Sequence, residues 1–429
     1  MEIGVGICGL GTVGSATFNL IRDNADEITR KTGEVIKVVQ VGCRRDPPDC
    51  DLSSVDVTRD IFDVVKNPDV SIVIELIGGT DPALELIKQA IANKKHVVTA
   101  NKALLALHGD EIFAMAHEAG VFVKFEAAIA GGIPLVKAIR EGLVSNRIEW
   151  LAGIINGTSN YILSEMEVAG NRSFDEVLVE AQELGYAEAD PTFDVEGIDA
   201  AHKLTILASV AFGIPLKFEA TYTEGISHIT PDDIRFASEL GYRIKHLGIT
   251  RKTLNGVELR VHPTLVEKEQ MLAQIDGVMN AVMVGSSPAG ATMYYGAGAG
   301  GGPTASAVVA DVVDVVRTLE GGGEVANLGF VPDAIEELPI LKMSDITSCY
   351  YLKLKVLDKP GVMARISTIL SQHNISIEAL IQKDARSGEA PIAIITNEIM
   401  ERSLDETINE LQELDEVIDR VVHIRVQAL

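Results

Sequence analysis

The amino-acid sequence predicts an α/β protein in three parts: a parallel sheet layered with helices, a mixed α+β region, and a small βαββαβ sandwich. Strands alternate with helices at the start of the chain, which is typical of parallel sheets with right-handed crossovers. That alternation stops near residue 131, and a compact strand-and-helix pattern returns in the tail. The chain has 429 residues, enough for two or three domains.

The first part alternates short apolar runs with amphipathic stretches. Its predicted strands are 2–8, 35–43, 71–77, 96–100 and 121–125. Its predicted helices are 13–30, 82–93 and 110–119. A late helix at 304–319 is expected to pack back on this part, so the first domain is residues 1–130 plus about 303–320.

The remaining segments complete the domain plan. Residues 131–302 mix helices and polar strands and form the second domain, and residues 330–348, rich in Pro, Asp and Glu, form a linker. The tail, 349–429, forms a third domain with the order βαββαβ. Its predicted strands are 350–357, 376–383, 390–397 and 417–426, and its predicted helices are 361–373 and 403–414.

Composition excludes several classes of protein. The net charge is -25, which disfavours nucleic-acid binding because that function needs a basic face. No apolar run is long enough to span a membrane, and no secretory signal opens the chain. The four cysteines show neither metal-ligand spacing nor a disulfide framework, so a cytoplasmic location is expected.

A glycine-rich turn follows the first strand, in the order strand, turn, helix. It reads Gly9-Leu10-Gly11-Thr12-Val13-Gly14. The first glycine permits a tight turn, the second lets the backbone approach a pyrophosphate, and the third lets the helix pack on the strand. This context predicts a Rossmann-type domain that binds a nicotinamide dinucleotide. A structural turn without a ligand is the alternative.

The second strand lacks the acid that usually binds the ribose hydroxyl of NAD. It is followed instead by Arg44 and Arg45. Arg44 is expected to face a 2′-phosphate, which favours NADP, with NAD as the other possibility and a solvated basic pair as the alternative. Lys102 follows the fourth strand, at the sheet edge where ligands gather, and is a candidate contact to cofactor or substrate.

A helix expected from about 198 to 212 carries Asp199 and Lys203 four residues apart. This spacing places the two side chains on one face of the helix. On any helix such a pair can be a plain surface ion pair.

The segment that leads into this helix resembles the signature of homoserine dehydrogenases. Its matching residues are Ala181, Gly185, Asp190-Pro191, Asp194, Gly197, Asp199 and Lys203. The resemblance extends from the glycine turn through Gly300 and includes the segment that starts Asn156-Gly157-Thr158. With no aspartate-kinase domain ahead of the turn, the monofunctional form is expected.

The resemblance implies an activity and a set of residues. The activity is the reversible NAD(P)H-dependent reduction of L-aspartate 4-semialdehyde to L-homoserine, in threonine, methionine and isoleucine biosynthesis. Lys203 would be the proton donor, with Asp199 orienting it. Glu188 and Asp199 would bind substrate, and Gly185 and Gly300 would contact the cofactor. His202 is interpreted as structural.

The resemblance makes residues 131–302 the catalytic and dimerisation domain, and it also implies a structural sodium ion. Its ligands would be Glu126 and the backbone carbonyls of Ile129, Gly131 and Ile133. Carboxylate and carbonyl oxygens suit a hard cation.

The tail resembles an ACT domain, a sensor of small molecules. Residues 357–362 match its first strand-to-helix turn, and residues 374–377 match its second strand. The resemblance implies an amino-acid effector, expected to be L-threonine, and assembly into a homodimer or homotetramer. A tail that serves only dimerisation is the alternative.

Two other functions fit the sequence less well. A dehydrogenase acting on a phosphorylated semialdehyde needs a cysteine nucleophile in the second domain, and no cysteine lies between Cys50 and Cys349. A sensor that has lost catalysis would not need Asp199 and Lys203 intact.

Overall fold

The computed structural model describes residues 2–319, 326–383 and 388–427, and it divides the chain into two compact units. Unit 1 comprises Met1–Trp150, Asp199–Thr221 and Asn280–Leu338. Unit 2 comprises Leu151–Ile198, Tyr222–Met279 and Pro339–Leu429. The outer ends of the predicted first and third domains, residues 320 and 428–429, lie outside the described residues.

Strands and helices alternate through most of the described chain. The strands are β1 (Glu2–Cys8), β2 (Val35–Gly42), β3 (Asp56–Thr58), β4 (Ile72–Glu75), β5 (His96–Thr99), β6 (Val123–Lys124), β7 (Arg147–Ile154), β8 (Tyr222–Thr223), β9 (Tyr242–Lys252), β10 (Val257–Glu267), β11 (Met279–Ser287), β12 (Gly290–Ala297), β13 (Thr347–Leu357), β14 (Ile377–Gln382), β15 (Glu389–Thr396), β16 (Ile399–Met400) and β17 (Val422–Gln427). The helices are α1 (Thr12–Asp23), α2 (Ala25–Thr32), α3 (Ile61–Lys66), α4 (Ala83–Ala92), α5 (Lys102–Ala119), α6 (Leu135–Lys137), α7 (Gly157–Ala169), α8 (Phe174–Glu183), α9 (Thr192–Val195), α10 (Ile198–Phe212), α11 (Pro231–Glu239), α12 (Gly301–Leu319), α13 (Val362–Gln372) and α14 (Glu401–Gln412). None of the described helices is both long and apolar enough to cross a membrane.

Unit 1 is built on a parallel six-stranded sheet in the order β3-β2-β1-β4-β5-β6. Val5 of β1 pairs with Val38 on one side and with Ile72 on the other. The strand order reverses between β1 and β4, which is the switch point where doubly wound folds bind dinucleotides. The predicted Rossmann-type sheet is therefore confirmed.

The core of unit 1 includes the late helix α12. Its valines Val308, Val312 and Val315 join one buried cluster with Ile7 and Phe18. The helix predicted at 304–319 is present and begins slightly earlier, at Gly301. Its apolar stripe repeats every three to four residues, which is why the sequence predicted it well.

Two predicted helices have different bounds. The helix predicted at 13–30 is broken at Asn24, where φ is -106° and ψ is 17°, because Asn is a poor residue for a helix interior. The helix predicted at 110–119 begins at Lys102, since the Asn101 side chain accepts a hydrogen bond from the Leu104 N–H. The short elements β3 and α3 were missed, because three to six residues carry little periodicity.

Unit 2 contains a sheet in the order β9-β10-β17-β13-β15-β14, with β8 beside β10 and β16 beside β13. The four tail strands, taken in chain order, have the spatial order 4-1-3-2 and pair antiparallel. This is the predicted ferredoxin-like sandwich. Its last strand also pairs in parallel with β10, at Thr264 and Arg425, a continuity that the sequence analysis did not predict.

Both faces of the central tail strands β13 and β15 are covered. Tyr350 and Leu352 face a cluster that includes Ile366 of α13 and Leu404 of α14. The alternate residues of these strands, such as Tyr351, share a second cluster with α7, α8 and α11. Successive side chains of a strand point to opposite faces, so one strand serves two cores.

Candidate active site

The three glycines of the turn have different local surroundings. Gly9 has a φ of +99° and its N–H donates to the Gly42 carbonyl at 2.8 Å. A Cβ on Gly14 would lie 1.9 Å from the Gly9 carbonyl oxygen, so α1 rests directly on the turn. A Cβ on Gly11 would meet nothing within 4 Å. The turn is therefore packed at its two ends and open at its middle glycine.

This turn borders a cavity of about 670 Å³ at the carboxyl edge of the sheet. The lining comes from the glycine turn, the end of β2, the start of α3 and the end of β4. Leu10 lines the cavity, whereas Thr12 and Val13 form the first turn of α1. The volume falls within the range of ligand sites, and the position is the switch point of the sheet.

Three arginines line this cavity: the predicted Arg44, its neighbour Arg45, and Arg59. Arg59 donates to the Cys43 carbonyl at 3.1 Å and to the Asp46 carboxylate at 2.8 Å. Arg59 was not predicted as a site residue, because the short strand β3 that precedes it was not predicted either. Two acids, Asp60 and Asp81, also line the cavity, and Asp60 caps α3 through the Phe62 N–H.

Glu75 at the end of β4 organises the adjoining edge of the cavity. Its carboxyl group accepts hydrogen bonds from the Thr99 hydroxyl and from the N–H groups of Ile77 and Gly78. Burial raises the pKa of Glu75. The Asn101 side chain donates to the Gly79 carbonyl at 2.6 Å, so β5 and the β4 turn are held together. Glu75 was not predicted from the sequence, because no motif includes it.

Asp199 and Lys203 lie one turn apart on α10, as their spacing predicted. The Lys203 Nζ donates to Asp199 Oδ2 at 2.7 Å, and the two residues are 8% and 4% exposed. The pair is buried, so the alternative of a plain surface ion pair is wrong. A buried ion pair needs good geometry to offset the cost of desolvation.

Lys102, the first residue of α5, also binds the Asp199 carboxylate. Its Nζ lies 3.0 Å from Asp199 Oδ1, on the other oxygen from Lys203. One carboxylate thus bridges two ammonium groups from two helices. The sequence suggested Lys102 as a ligand contact, but it gave no sign of this link to Asp199.

His202 lies on the same helix as Asp199 and Lys203, and it is buried. Its ring centroid lies 4.3 Å from that of Phe218, and burial lowers its pKa to about 4. The imidazole is therefore neutral near pH 7, in keeping with a structural role.

In unit 2, the segment before α10 is held by α7 and α8. The Asn156 side chain donates to Asp194 at 2.8 Å, and the Thr158 hydroxyl donates to the Tyr186 carbonyl at 2.6 Å. Gly185 has a φ of +75° just after α8. Glu188 is exposed, and its carbonyl accepts a hydrogen bond from Gln182.

Gly300, the other predicted cofactor contact, lies in unit 1 with a φ of +120°. A Cβ on the next residue, Gly301, would lie 3.3 Å from the Thr12 side chain. The loop at Gly300 therefore lies beside the first turn of α1, next to the glycine turn.

The loop predicted to hold sodium also lies in unit 1. Glu126 is buried, and its two carboxylate oxygens accept the N–H groups of Val136 and Lys137, each at 2.8 Å. Its own N–H donates to Asp311, and burial raises the pKa of both acids. Within the described residues there is no cluster of three or more His, Cys, Asp or Glu side chains that could hold a metal. A cation here would depend on backbone carbonyls.

Comparison with known proteins accounts for nearly the whole chain. Residues 134–313 match the homoserine dehydrogenase family, and residues 9–126 match its NAD-binding domain. The homoserine dehydrogenase of Pseudomonas aeruginosa is 58% identical over 99% of both chains, and that of Neisseria gonorrhoeae is 50% identical over 100% of this chain and 99% of its own. The chain belongs to the homoserine dehydrogenase family.

Solved structures agree with this assignment. The crystal structure of a homoserine dehydrogenase from Thiobacillus denitrificans has a TM-score of 0.95 and 54% identity, with 100% of this chain and 98% of that chain covered. The homoserine dehydrogenase of S. aureus has a TM-score of 0.78 and 32% identity over 100% of this chain and 99% of its own. As a homoserine dehydrogenase the chain is an oxidoreductase, and residues 350–416 match the ACT domain.

Proposed function

We propose that this homoserine dehydrogenase reduces L-aspartate 4-semialdehyde to L-homoserine with NADPH, reversibly, in threonine, methionine and isoleucine biosynthesis. The observation that carries the proposal is the array in which the buried Asp199 binds both the buried Lys203 and the partly exposed Lys102. It supplies a proton donor, the ammonium group of Lys203, and further positive charge beside it on Lys102. Both are what an aldehyde reduction needs as its oxygen becomes an alkoxide.

Each residue of the array has a separate task in the proposed mechanism. The bound cofactor supplies a hydride to the aldehyde carbon. Lys203 gives its proton to the carbonyl oxygen in reduction and takes it back in oxidation. Asp199 fixes the direction of the Lys203 ammonium through their 2.7 Å hydrogen bond.

The remaining positions bind the two ends of the reactants. Lys102 adds positive charge for substrate or cofactor, and Glu188 binds the α-ammonium group of the amino acid. Gly185 and Gly300 contact the cofactor through their backbone. The assignments of Glu188, Gly185 and Gly300 rest on the family resemblance, whereas that of Lys102 rests on its place at the carboxyl edge of the sheet. The geometry of unit 1 supports the assignments of Lys102 and Gly300.

The proposal selects NADP over NAD. The open space over Gly11 fits a pyrophosphate, and Gly9, Leu10, Thr12, Val13 and Gly14 form the turn and helix start around it. Arg44, with Arg45 and Arg59, supports a 2′-phosphate in the adjoining cavity. Of the nearby acids, Asp46 is already paired with Arg59.

A structural sodium ion is also part of the proposal. The buried acids Glu126 and Asp311 lie in contact, and a cation nearby would offset their charge. Because both oxygens of Glu126 already accept N–H groups, the carbonyls of Ile129, Gly131 and Ile133 would be the main ligands.

Regulation and assembly complete the proposal. The ACT domain binds an amino acid, L-threonine, as a feedback inhibitor. The chain forms a homodimer or homotetramer in the cytoplasm, where its four free cysteines stay reduced.

The test is steady-state oxidation of L-homoserine by the full chain, followed at the nicotinamide absorbance band. We expect turnover with both cofactors, a kcat/KM at least about tenfold higher with NADP+, and inhibition by added threonine. If the full chain shows no turnover with NAD+ and none with NADP+, the proposed reaction is wrong. A preference for NAD+ would overturn only the assignment of Arg44.

A further inference from the structure

A buried arginine of the last strand lies at the centre of an ion-pair cluster within unit 2. Arg425 on β17 is 2% exposed. Its Nε donates to Glu401 Oε2 at 2.9 Å, and its Nη1 donates to Glu224 Oε2 at 2.7 Å. Glu401 opens α14 in the ACT domain, whereas Glu224 follows β8. One guanidinium, with its planar fork of donors, thus joins the ACT domain to the β8 region.

Tyr222 fixes Glu224 from a second side. Its hydroxyl donates to Glu224 Oε2 at 2.8 Å and accepts from Arg425 Nη2 at 3.2 Å. Its ring lies under the guanidinium, with Arg425 Cζ 4.9 Å from the ring centroid. The Glu224 N–H also donates to the Val261 carbonyl of β10 at 2.8 Å. Both the side chain and the backbone of Glu224 are therefore held.

The loop that follows, residues 224–227, lies against the segment that precedes α10. The Ile226 N–H donates to the Val195 carbonyl at 2.9 Å, and the Ser227 hydroxyl donates to Glu196 at 2.8 Å. A Cβ on Gly225 would lie 2.6 Å from the Val195 carbonyl oxygen, so there is no space between the two segments. Two residues beyond Glu196, the chain enters α10, which carries Asp199 and Lys203.

We propose that Arg425 is a positioning residue for the dehydrogenase reaction, acting through Glu224 and the loop 224–227 on the segment that leads into α10. The inference rests on the proposed function. Removing Arg425 leaves the buried Glu401 and the partly buried Glu224 without their shared cation, which forces the two carboxylates apart or toward water. Movement of the loop then shifts the start of α10, and a misplacement of about 1 Å at reacting groups costs roughly 10²-fold in rate.

A matched control is available in the same unit. Lys353 of β13 binds the buried Asp233 of α11 at 2.7 Å, so it also joins the ACT domain to the rest of unit 2. It has no hydrogen bond or ion pair to residues 224–227 among the described contacts. Lys353→Gln therefore removes a comparable ion pair without touching the proposed path.

The experiment compares Arg425→Gln, Arg425→Lys, Glu224→Gln and Lys353→Gln with the unaltered full chain. For each, kcat for homoserine oxidation and the Kd for NADPH are measured at a temperature where circular dichroism shows the protein folded. We expect Arg425→Gln and Glu224→Gln to lower kcat roughly tenfold or more, with the NADPH Kd within about twofold. Arg425→Lys should recover part of kcat, and Lys353→Gln should stay within about twofold.

Each outcome decides the inference. It is overturned if the Arg425 and Glu224 variants keep kcat within about twofold of the unaltered chain, or if Lys353→Gln loses as much as they do. If Arg425→Gln does not fold, Glu224→Gln, which keeps the shape of the side chain, gives the decision. Absence of turnover in the unaltered chain would instead overturn the proposed function.

Discussion

The three glycines of the nucleotide-binding turn differ as single residues. Gly9 and Gly14 are packed closely against backbone atoms, whereas Gly11 faces open space. Lys102 and Asp199 were both predicted site residues, but their contact joins positions far apart in the chain. Local spacing carries no information on such a pair. Glu75 was not predicted because no motif includes it, and Arg59 was not predicted because the short strand β3 before it was not.

The glycine turn gives a sharp prediction. Gly11→Ala should fold with normal stability, since its Cβ meets nothing within 4 Å, yet raise the NADPH Kd at least about tenfold by filling the space for the pyrophosphate. Gly14→Ala should lower the free energy of unfolding by about 1–3 kcal/mol, because its Cβ would lie 1.9 Å from the Gly9 oxygen. The exposed Gly142→Ala is the control for both measurements. Equal behaviour of the Gly11 and Gly14 variants would contradict this division of roles.

His202 predicts a pH dependence of stability. Burial lowers its pKa from 6.5 to about 4, so the unfolded chain takes up a proton at higher pH than the folded chain does. Its contribution to stability is therefore full above about pH 6.5 and is lost as the pH falls toward 4, by up to about 3 kcal/mol. In urea unfolding between pH 4 and 7, His202→Gln should show a shallower loss of stability than the unaltered chain. The exposed His117→Gln should show the same slope as the unaltered chain, and an unchanged slope for His202→Gln would refute the assignment.

At the scale of the element, long periodic segments were predicted well and short ones poorly. The bounds of α10 match the expected 198–212, and the four tail strands were all predicted. The pairing of β17 with β10 was not predicted, although the apolar residues of the tail strands indicated further packing. Near-continuous apolar runs, such as that in β15, are typical of strands buried on both faces. Such a run indicates a second covering layer, but not which segment supplies it.

The strand β17 supplies a stability prediction. Ile424 is 1% exposed and belongs to the cluster shared with α7, α8 and α11. Ile424→Ala should lower the free energy of unfolding by about 2–5 kcal/mol, the usual cost of deleting a buried aliphatic side chain. Ile418→Ala, at a position 38% exposed, is the matched control and should change it by less than about 0.5 kcal/mol. Urea unfolding of both variants tests this, and equal effects would show that the tail does not share that core.

For the molecule as a whole, the fold class and the family could be predicted from the sequence. The residues of the glycine turn stand at fixed spacings in the sequence, and so do those of the segment from Ala181 to Lys203. Both motifs can therefore be recognised without a structure. The residues that connect Arg425 to the segment before α10 are far apart in the sequence and form no motif. Their connection is formed by tertiary packing within unit 2.

The central claim is that Lys203, oriented by Asp199, transfers the proton, and its most direct test is Lys203→Ala. Homoserine oxidation with NADP+ and the Kd for NADPH are measured on this variant and on Lys217→Ala, which removes a surface partner of Glu337 in the same unit. We expect Lys203→Ala to lose at least about 10²-fold in kcat, the usual contribution of general acid–base catalysis, while its NADPH Kd stays within about twofold. Lys217→Ala should match the unaltered chain. Turnover by Lys203→Ala within about tenfold of the unaltered chain would contradict the account.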